Sequence, residues 1–507
     1  MHRGSDAGKA AAEMVLVGFV GTEPHEAMRA LGEVAWGGVI LFSRNVRNPR
    51  QLRRLTQGLR RRWRELGAQL PPLIAVDQEG GRVARLRTGA TRFPGAMALG
   101  ATADDCLARA QGRATARELR AVGANLNLAP VLDVNSMLSN PVIGTRSLGA
   151  DPESVARLGV AFIRGHQEQG VAATAKHFPG HGDTDRDSHR ELPVVEADEP
   201  TLWKRELLPF RRAVAEGVAV VMTAHVVFKA LDPVLPATLS PRVIDGLLRD
   251  RLGYHGVVVT DCMEMRAIAD RYDPEEAAVL AIEAGCDAVL VSHSPQFQHR
   301  SWRGLVRAIN EGRLTERRVA QSLDRLRRLR RLWGEPAPLP MAVVGCDEHQ
   351  QLALEIARAS LTVVRDPRGL IPLQPATVLL AWVDLDSGAA DGGRDLSFWL
   401  REAGFQVTGP SRDQPTLPPA RQVVVLVTVD GPLVSERHGH EWSRIQRWQL
   451  PTIVISTGVP FGLGEVPGHW SVVAAYGAEP CTLMALAELL AGRVSHRGRL
   501  PVPIPRE

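Results

Sequence analysis

From residue 14 onward the chain alternates short apolar, largely β-branched runs with longer segments of helical spacing. The runs are "MVLVGF" (14–19), "GVILFS" (38–43), "LIAVD" (73–77) and "NLNLAPVLDV" (125–134), then "VAATAKH" (171–177), "AVVMTAH" (219–225), "GVVVTD" (256–261) and "DAVLVSH" (287–293). Runs of this length and composition predict buried strands. Eight of them within about 280 residues, each followed by room for a helix, predict a (β/α)8 TIM barrel over residues 10–335 rather than an open doubly wound sheet. No glycine-rich dinucleotide fingerprint follows the first run, which removes the main support for the open-sheet alternative.

The proline-rich "GEPAPLP" (334–340) breaks the pattern and predicts a linker. Beyond it a helix near 348–360 leads into "TVLLAWV" (377–383), "QVVVLVTV" (422–429), "PTIVIST" (451–457) and "SVVAAYG" (471–477), again alternating with helical stretches. Residues 341–507 are therefore expected to form a smaller αβα sandwich. Polar residues fall at one place in the barrel pattern. Asp77, Asp133, the Lys176-His177 pair, His225, Asp261 and His293 each stand at or just after the end of an apolar run, which in a barrel directs them to the C-terminal face where active sites are built.

Composition narrows the partners. A 44% hydrophobic and 23% charged chain of 507 residues is ordinary for a globular protein of two domains. The pI near 9.2 raises nucleic acid as a partner, but in the basic runs at 50–66 and 325–333 Leu and Trp recur between the arginines. That spacing predicts amphipathic helices with a solvated face, so no nucleic-acid partner is expected. The N-terminus has no apolar signal core and no run reaches a membrane span, which gives the expectation of a cytoplasmic protein without a membrane span. Five scattered cysteines form no CxxC pair, so neither a disulfide framework nor a thiolate zinc site is suggested.

The densest chemistry lies in "KHFPGHGDTDRDSHRELP" (176–193). By composition His177, His181, Asp183, Asp187 and His189 would satisfy a zinc or manganese site. The spacing lacks a helical HExxH-like pair and the segment bends at Pro179, Gly180 and Gly182, so no metal and no cofactor are expected. The three bend residues give permissive backbone geometry that leaves the following His-Asp segment room to swing.

Six ordered blocks carry a resemblance: "VDQEGGRVARL" (76–86), "APVLDV" (129–134), "NPVIGTRSLG" (140–149), "KHFPGHGDTDRDSH" (176–189), "PATLSP" (236–241) and "GVVVTDCMEM" (256–265). With them the chain resembles glycoside hydrolase family 3, on the branch of bacterial β-N-acetylglucosaminidases. The second unit is more loosely similar to the αβα domain of longer members, including the closing "GRLPV" (498–502). The resemblance implies a retaining exo-β-N-acetylglucosaminidase (a β-N-acetylhexosaminidase) acting on a carbohydrate substrate, β-linked GlcNAc of muropeptide fragments in peptidoglycan recycling. It assigns the nucleophile to Asp261, the general acid/base to His189 with Asp187 as its partner, and sugar binding to Asp77, Arg85, Arg146, Lys176 and His177. Cys262 departs from the family pattern, in which Asp or Ala is frequent after the nucleophile, and so puts the pocket's fine shape in question. A phosphorylase of the same branch, another family 3 β-glycosidase and an inactive sugar-binding protein are the alternatives.

Overall fold

The computed structural model describes residues 6–137, 139–374, 377–383, 395–408, 423–429, 443 and 445–504. The first five residues and position 422, at the start of one expected strand, lie outside them, as do parts of the helical stretches expected between the C-terminal strands.

Among the described residues eight parallel strands close into a barrel: β1 (Val15–Val17), β2 (Gly38–Leu41), β3 (Leu73–Val76), β4 (Leu126–Asn127), β5 (Ala172–Phe178), β6 (Val220–Thr223), β7 (Val257–Cys262) and β8 (Ala288–Val291). Each strand neighbours the next in sequence, and β1 pairs with both β2 and β8 to complete the ring. Every residue of β1, β2, β3, β6 and β8 is buried, as expected where helices cover the outside and side chains fill the inside.

The basic runs fold as the spacing predicts. The helix Pro49–Glu65 starts where Asn48 accepts the Gln51 N–H and Pro49 occupies the first turn, and it buries Leu52, Leu55, Leu59 and Trp63. The helix Glu316–Trp333 buries Val319, Leu323, Leu326 and Leu329. One expected strand is shorter than its apolar run. Only Leu126–Asn127 of "NLNLAPVLDV" pairs as strand, because Pro130 has no N–H to give the ladder, and the chain beyond it leaves the sheet with a single bridge from Val131 to Lys176.

After the helix Asp347–Ser360, a six-stranded sheet runs β9 (Thr362–Arg365), β10 (Val378–Val383), β11 (Gln406–Thr408), β12 (Val423–Val429), β13 (Thr452–Ser456) and β14 (Ser471–Ala474). Its spatial order is β9-β14-β13-β12-β10-β11, parallel except for β9. The strands β9 and β11 have no counterpart in the apolar pattern: both lie at sheet edges, are short and are largely not buried, so they carry too few apolar residues to register as runs. This sheet is anchored on the barrel. Met97, Ala98 and Ala101 of the helix Ala96–Thr102 share a core with Val425, Val454, Trp470 and Tyr476. The closing segment adds backbone bonds, Arg499 N–H to Ala101 O (2.9 Å) and Ala150 N–H to Pro501 O (2.9 Å). No described helix is long and apolar enough to cross a membrane.

Asp287, fully buried just before β8, accepts from Arg249 Nη2 (2.6 Å), Arg325 Nη1 (2.9 Å) and the Val258 N–H (2.9 Å). It therefore ties β7, β8 and two helices at the closed end of the barrel. Asp287→Ala should strand the buried Arg249 guanidinium and lower stability by about 3–5 kcal/mol, read as a reduced thermal midpoint and urea midpoint against the parent chain.

Candidate active site

The open, C-terminal ends of the barrel strands surround a cavity of about 370 Å³. It is floored by charge. Asp77, just past β3, accepts from Lys176 Nζ (3.0 Å) and from Arg85 Nη2 (3.1 Å). Glu79, two residues on, accepts from the same Lys176 (2.6 Å) and from Arg146 through Nε (2.9 Å) and Nη2 (2.8 Å). Burial by itself would raise the Glu79 carboxyl, but Arg146 and Lys176 outweigh it and hold that carboxyl far below its ordinary range. Burial likewise opposes the Lys176 ammonium, and Glu79 and Asp77 more than restore it, so its value is raised. Arg85 keeps its Nε buried with no protein partner among the described residues.

Asp261 stands at the end of β7 and lines the cavity with Lys176, His177 and His189. Burial pushes its carboxyl up; the His177 and His225 rings, the Cys262 N–H (2.7 Å) and Lys176 together bring it below the usual carboxylate value. It is an anion at neutral pH facing the cavity. His189 lies at the rim with 62% of its side chain exposed, and its Nδ1 meets Asp187 Oδ1 at 2.9 Å. Asp187 also accepts the His189 backbone N–H (2.8 Å), so a two-residue spacing closes a small ring that orients the imidazole and leaves Nε2 as its other nitrogen.

The histidine-rich segment divides. His177 turns Nδ1 to Asp133 Oδ2 (2.7 Å), and Asp133 also accepts the backbone N–H of His177 (3.1 Å) and of His181 (2.7 Å). His181 bridges Thr184 Oγ1 (2.9 Å) and Ser188 Oγ (2.8 Å), and burial pushes it down to about 4, so it is neutral. The bend is a packed corner as much as a permissive one. Gly180 has φ +141°, while a Cβ on Gly182 would lie 1.7 Å from Val134 O, so Gly182 is required by close backbone approach.

Of the residues expected at the strand ends, Asp77, Lys176, His177, Asp261 and His293 line the cavity. Asp133 and His225 do not. Asp133 is fully buried behind the two histidines, and His225 is held by Thr238 Oγ1 (2.8 Å) and Cys262 O (3.0 Å). Arg85, Arg146 and His189 also line the cavity, and Asp187 stands behind His189.

Sequence reasoning missed Glu79, Glu264 and Phe42. The Asp77-x-Glu79 spacing, two acids on one side of an extended segment, was the available signal for the first. Glu264 accepts three consecutive backbone N–H groups, those of Ser292 (2.7 Å), His293 (2.7 Å) and Ser294 (2.6 Å). It thereby fixes the loop after β8 to the loop after β7, a role with no local signature. Phe42 forms the rim wall, its ring 5.2 Å from that of His293 and 5.4 Å from the Arg85 guanidinium. The Cys262 thiol lines the cavity beside Glu264, and burial pushes it up to about 12.

Residues 9–329 match the glycosyl hydrolase family 3 N-terminal domain. The chain belongs to that family. It is 37% identical over 379 residues to beta-hexosaminidase A of Pseudoalteromonas piscicida, across 70% of this chain and 63% of that one, so the match spans less than two thirds of that relative. The beta-N-acetylglucosaminidase/beta-glucosidase of Cellulomonas fimi is 30% identical over 483 residues, 86% of this chain and 84% of that one. Among solved structures, a family 3 beta-N-acetylglucosaminidase from Paenibacillus sp. str. FPU-7 is 39% identical and superposes with a TM-score of 0.87 over 98% of this chain and 99% of its own. The family match thus covers the barrel, and the longer alignments extend the likeness through the second unit.

Glu206 supports the loop corner from outside, with its Cβ against Gly180 and its Oε2 buried without a hydrogen-bond partner among the described residues. Burial pushes its carboxyl up to about 7, with Arg205 opposing and Asp183 adding. The folded chain then keeps a proton between about pH 4.5 and 7 that the unfolded chain has released. Stability from this group is full below that window and is lost as pH rises through it, by on the order of 3 kcal/mol. Glu206→Gln should flatten that loss, seen as urea midpoints at the two ends of the window that differ less than in the parent.

Proposed function

We propose that the chain is a retaining exo-β-N-acetylglucosaminidase that removes terminal β-linked GlcNAc. The observation that carries this is one cavity lined by both a buried anionic carboxylate, Asp261, and an imidazole, His189, oriented by Asp187. A carboxylate below the anomeric carbon forms the glycosyl ester, and an imidazole gives a proton to the departing oxygen and later takes one from water. The charged floor suits sugar hydroxyls: Asp77, Arg85, Arg146, Lys176 and His177 bind the ring. The acetamido sugar is supported by the names of the relatives from Pseudoalteromonas and Paenibacillus. The substrate is a muropeptide fragment, GlcNAc joined to MurNAc or its anhydro form, processed in the cytoplasm during cell-wall recycling. The barrel, residues 10–335, carries the chemistry and residues 341–507 form the second domain, which buttresses the loops after β3 and β4 through neighbours such as Glu479 beside Gly81 and Val459 beside Gly144.

The deciding assay is turnover of aryl β-GlcNAc and aryl β-glucoside substrates with and without phosphate. GlcNAc release independent of phosphate is expected; GlcNAc-1-phosphate would make the chain a phosphorylase, and preference for glucoside would overturn the acetamido-sugar assignment. Turnover should survive exhaustive chelation, because a carboxylate and an imidazole supply the nucleophile and the proton; loss with EDTA and recovery with zinc or manganese would make the histidine segment a metal site.

Asp261→Asn should nearly abolish turnover, with a fluorosugar inactivator labelling Asp261 in the parent. His189→Ala should slow natural glycosides by on the order of 10² to 10⁴ and dinitrophenyl glycosides far less in the first step. Glycosyl-enzyme should then accumulate, and azide should rescue the second step as the β-glycosyl azide. Equal slowing of both substrates with no azide rescue would make His189 a binding residue.

A further inference from the structure

A second cavity, about 440 Å³, lies at the opposite end of the barrel. The helices Pro49–Glu65, Asp105–Val122 and Glu316–Trp333 each run back from the open face, so their last turns and the loops after them meet at the closed face. Toward that end Arg60, Arg61 and Arg64 from the first helix and Arg120 from the second line one groove, which Arg53 extends back along the first helix and which Glu335, Pro336 and Pro338 of the linker wall. Positions 53, 60 and 64, spaced by seven and four, share one helical stripe, and Arg61 borders it one turn before Arg64.

The arrangement departs from the arginine chemistry elsewhere in this chain. A cavity of equal volume on the barrel side is also lined by four arginines, but each is paired there: Arg109 with Glu168, Arg157 with Asp105, Arg164 with Glu216 and Arg212 with Glu153. In the closed-face groove none of the five guanidiniums has a carboxylate partner among the described residues, and the one lining acid, Glu335, is exposed. Part of their capacity holds backbone. Arg53 donates to Leu339 O (3.2 Å), Arg60 to Gly123 O (2.8 Å) and Arg120 to Gln169 O (3.1 Å) and Ala337 O (2.6 Å). Arg60 Nε remains buried with no partner among the described residues, and Arg61 and Arg64 are exposed with no side-chain bond of their own there. Burial presses the Arg60 guanidinium below its ordinary value, opposed by Glu335. Five cations facing one exposed acid repel one another unless an anion neutralises them.

We propose that this groove is a binding site for a small phosphate-type oxyanion carrying at least two negative charges, held by Arg60, Arg61 and Arg64 with Arg53 and Arg120 at its flanks. Planar guanidinium forks match phosphate oxygens two at a time. The groove's volume of about 440 Å³ suits a small ligand. Because Arg53, Arg60 and Arg120 already grip the backbone at Gly123, Ala337 and Leu339, a bound anion tightens the junction between the barrel and the linker.

The test is calorimetric titration of the full chain with inorganic pyrophosphate and, separately, with a hexose phosphate, so that a free and a sugar-borne phosphate are distinguished. Either should bind, more weakly as salt screens the groove. Binding should fall by about tenfold or more in Arg61→Glu/Arg64→Glu, two exposed positions whose replacement leaves glycoside turnover unchanged. Binding of neither ligand, binding that the double variant retains, or arginine-dependent capture of an oligonucleotide while both small phosphates fail, would each overturn the proposal.

Discussion

Two carboxylates, the partly buried Asp77 and the buried Glu79, pair with three cations that the barrel brings together from different segments: Lys176 at the end of β5, Arg85 after β3 and Arg146 in the loop after β4. Lys176 is 2% exposed and Glu79 7%, and neither charge is tolerable there alone. Their mutual pairing fixes the cavity floor and joins three consecutive strand ends. Lys176 then acts beyond its own ion pairs, since it also helps lower the Asp261 carboxyl across the cavity.

The loop after β5 shows the same economy in another form. Asp133 takes two backbone N–H groups and one ring nitrogen, and Asn140 Nδ2 donates to the carbonyls of His181 (2.8 Å) and Gly182 (3.1 Å). The first half of the segment is thereby bonded inward, whereas Asp187 and His189 at its far end bond chiefly to each other and reach the exposed rim. One stretch thus provides a fixed floor residue, His177, a neutral bridging residue, His181, and a proposed proton carrier, His189. Adjacent histidines acquire three different roles because burial and partners differ along a few residues.

Much of this was legible in the chain. The barrel strands are apolar on both faces and separated by helices, so each left a run that could be counted, and the polar residue ending each run pointed to the open face. The fourth run was over-read because periodicity does not register a missing N–H at Pro130, and β9 and β11 left no trace because edge strands need few apolar residues. Asp133 and His225 satisfied the same strand-end rule as Asp77 and Asp261. They face away from the cavity because β4 ends early and because Thr238 and Cys262 O hold the His225 ring.

The sequence by itself determined the fold class, the amphipathic character of the arginine runs, the end of the barrel where the candidate site lies and, through ordered motifs, the family. Those depend on local period and on residue types at fixed spacing, which survive any arrangement of the loops. Only the tertiary structure decided which charges pair, that Glu79 rather than solvent meets Lys176 and Arg146, that Glu264 clamps the loop after β8, and that five arginines share one groove with a single exposed acid, Glu335. Each of these depends on distances between segments far apart in the chain, and whether a side chain there is a partner, a support or an unpaired charge is set by burial and by what stands opposite it.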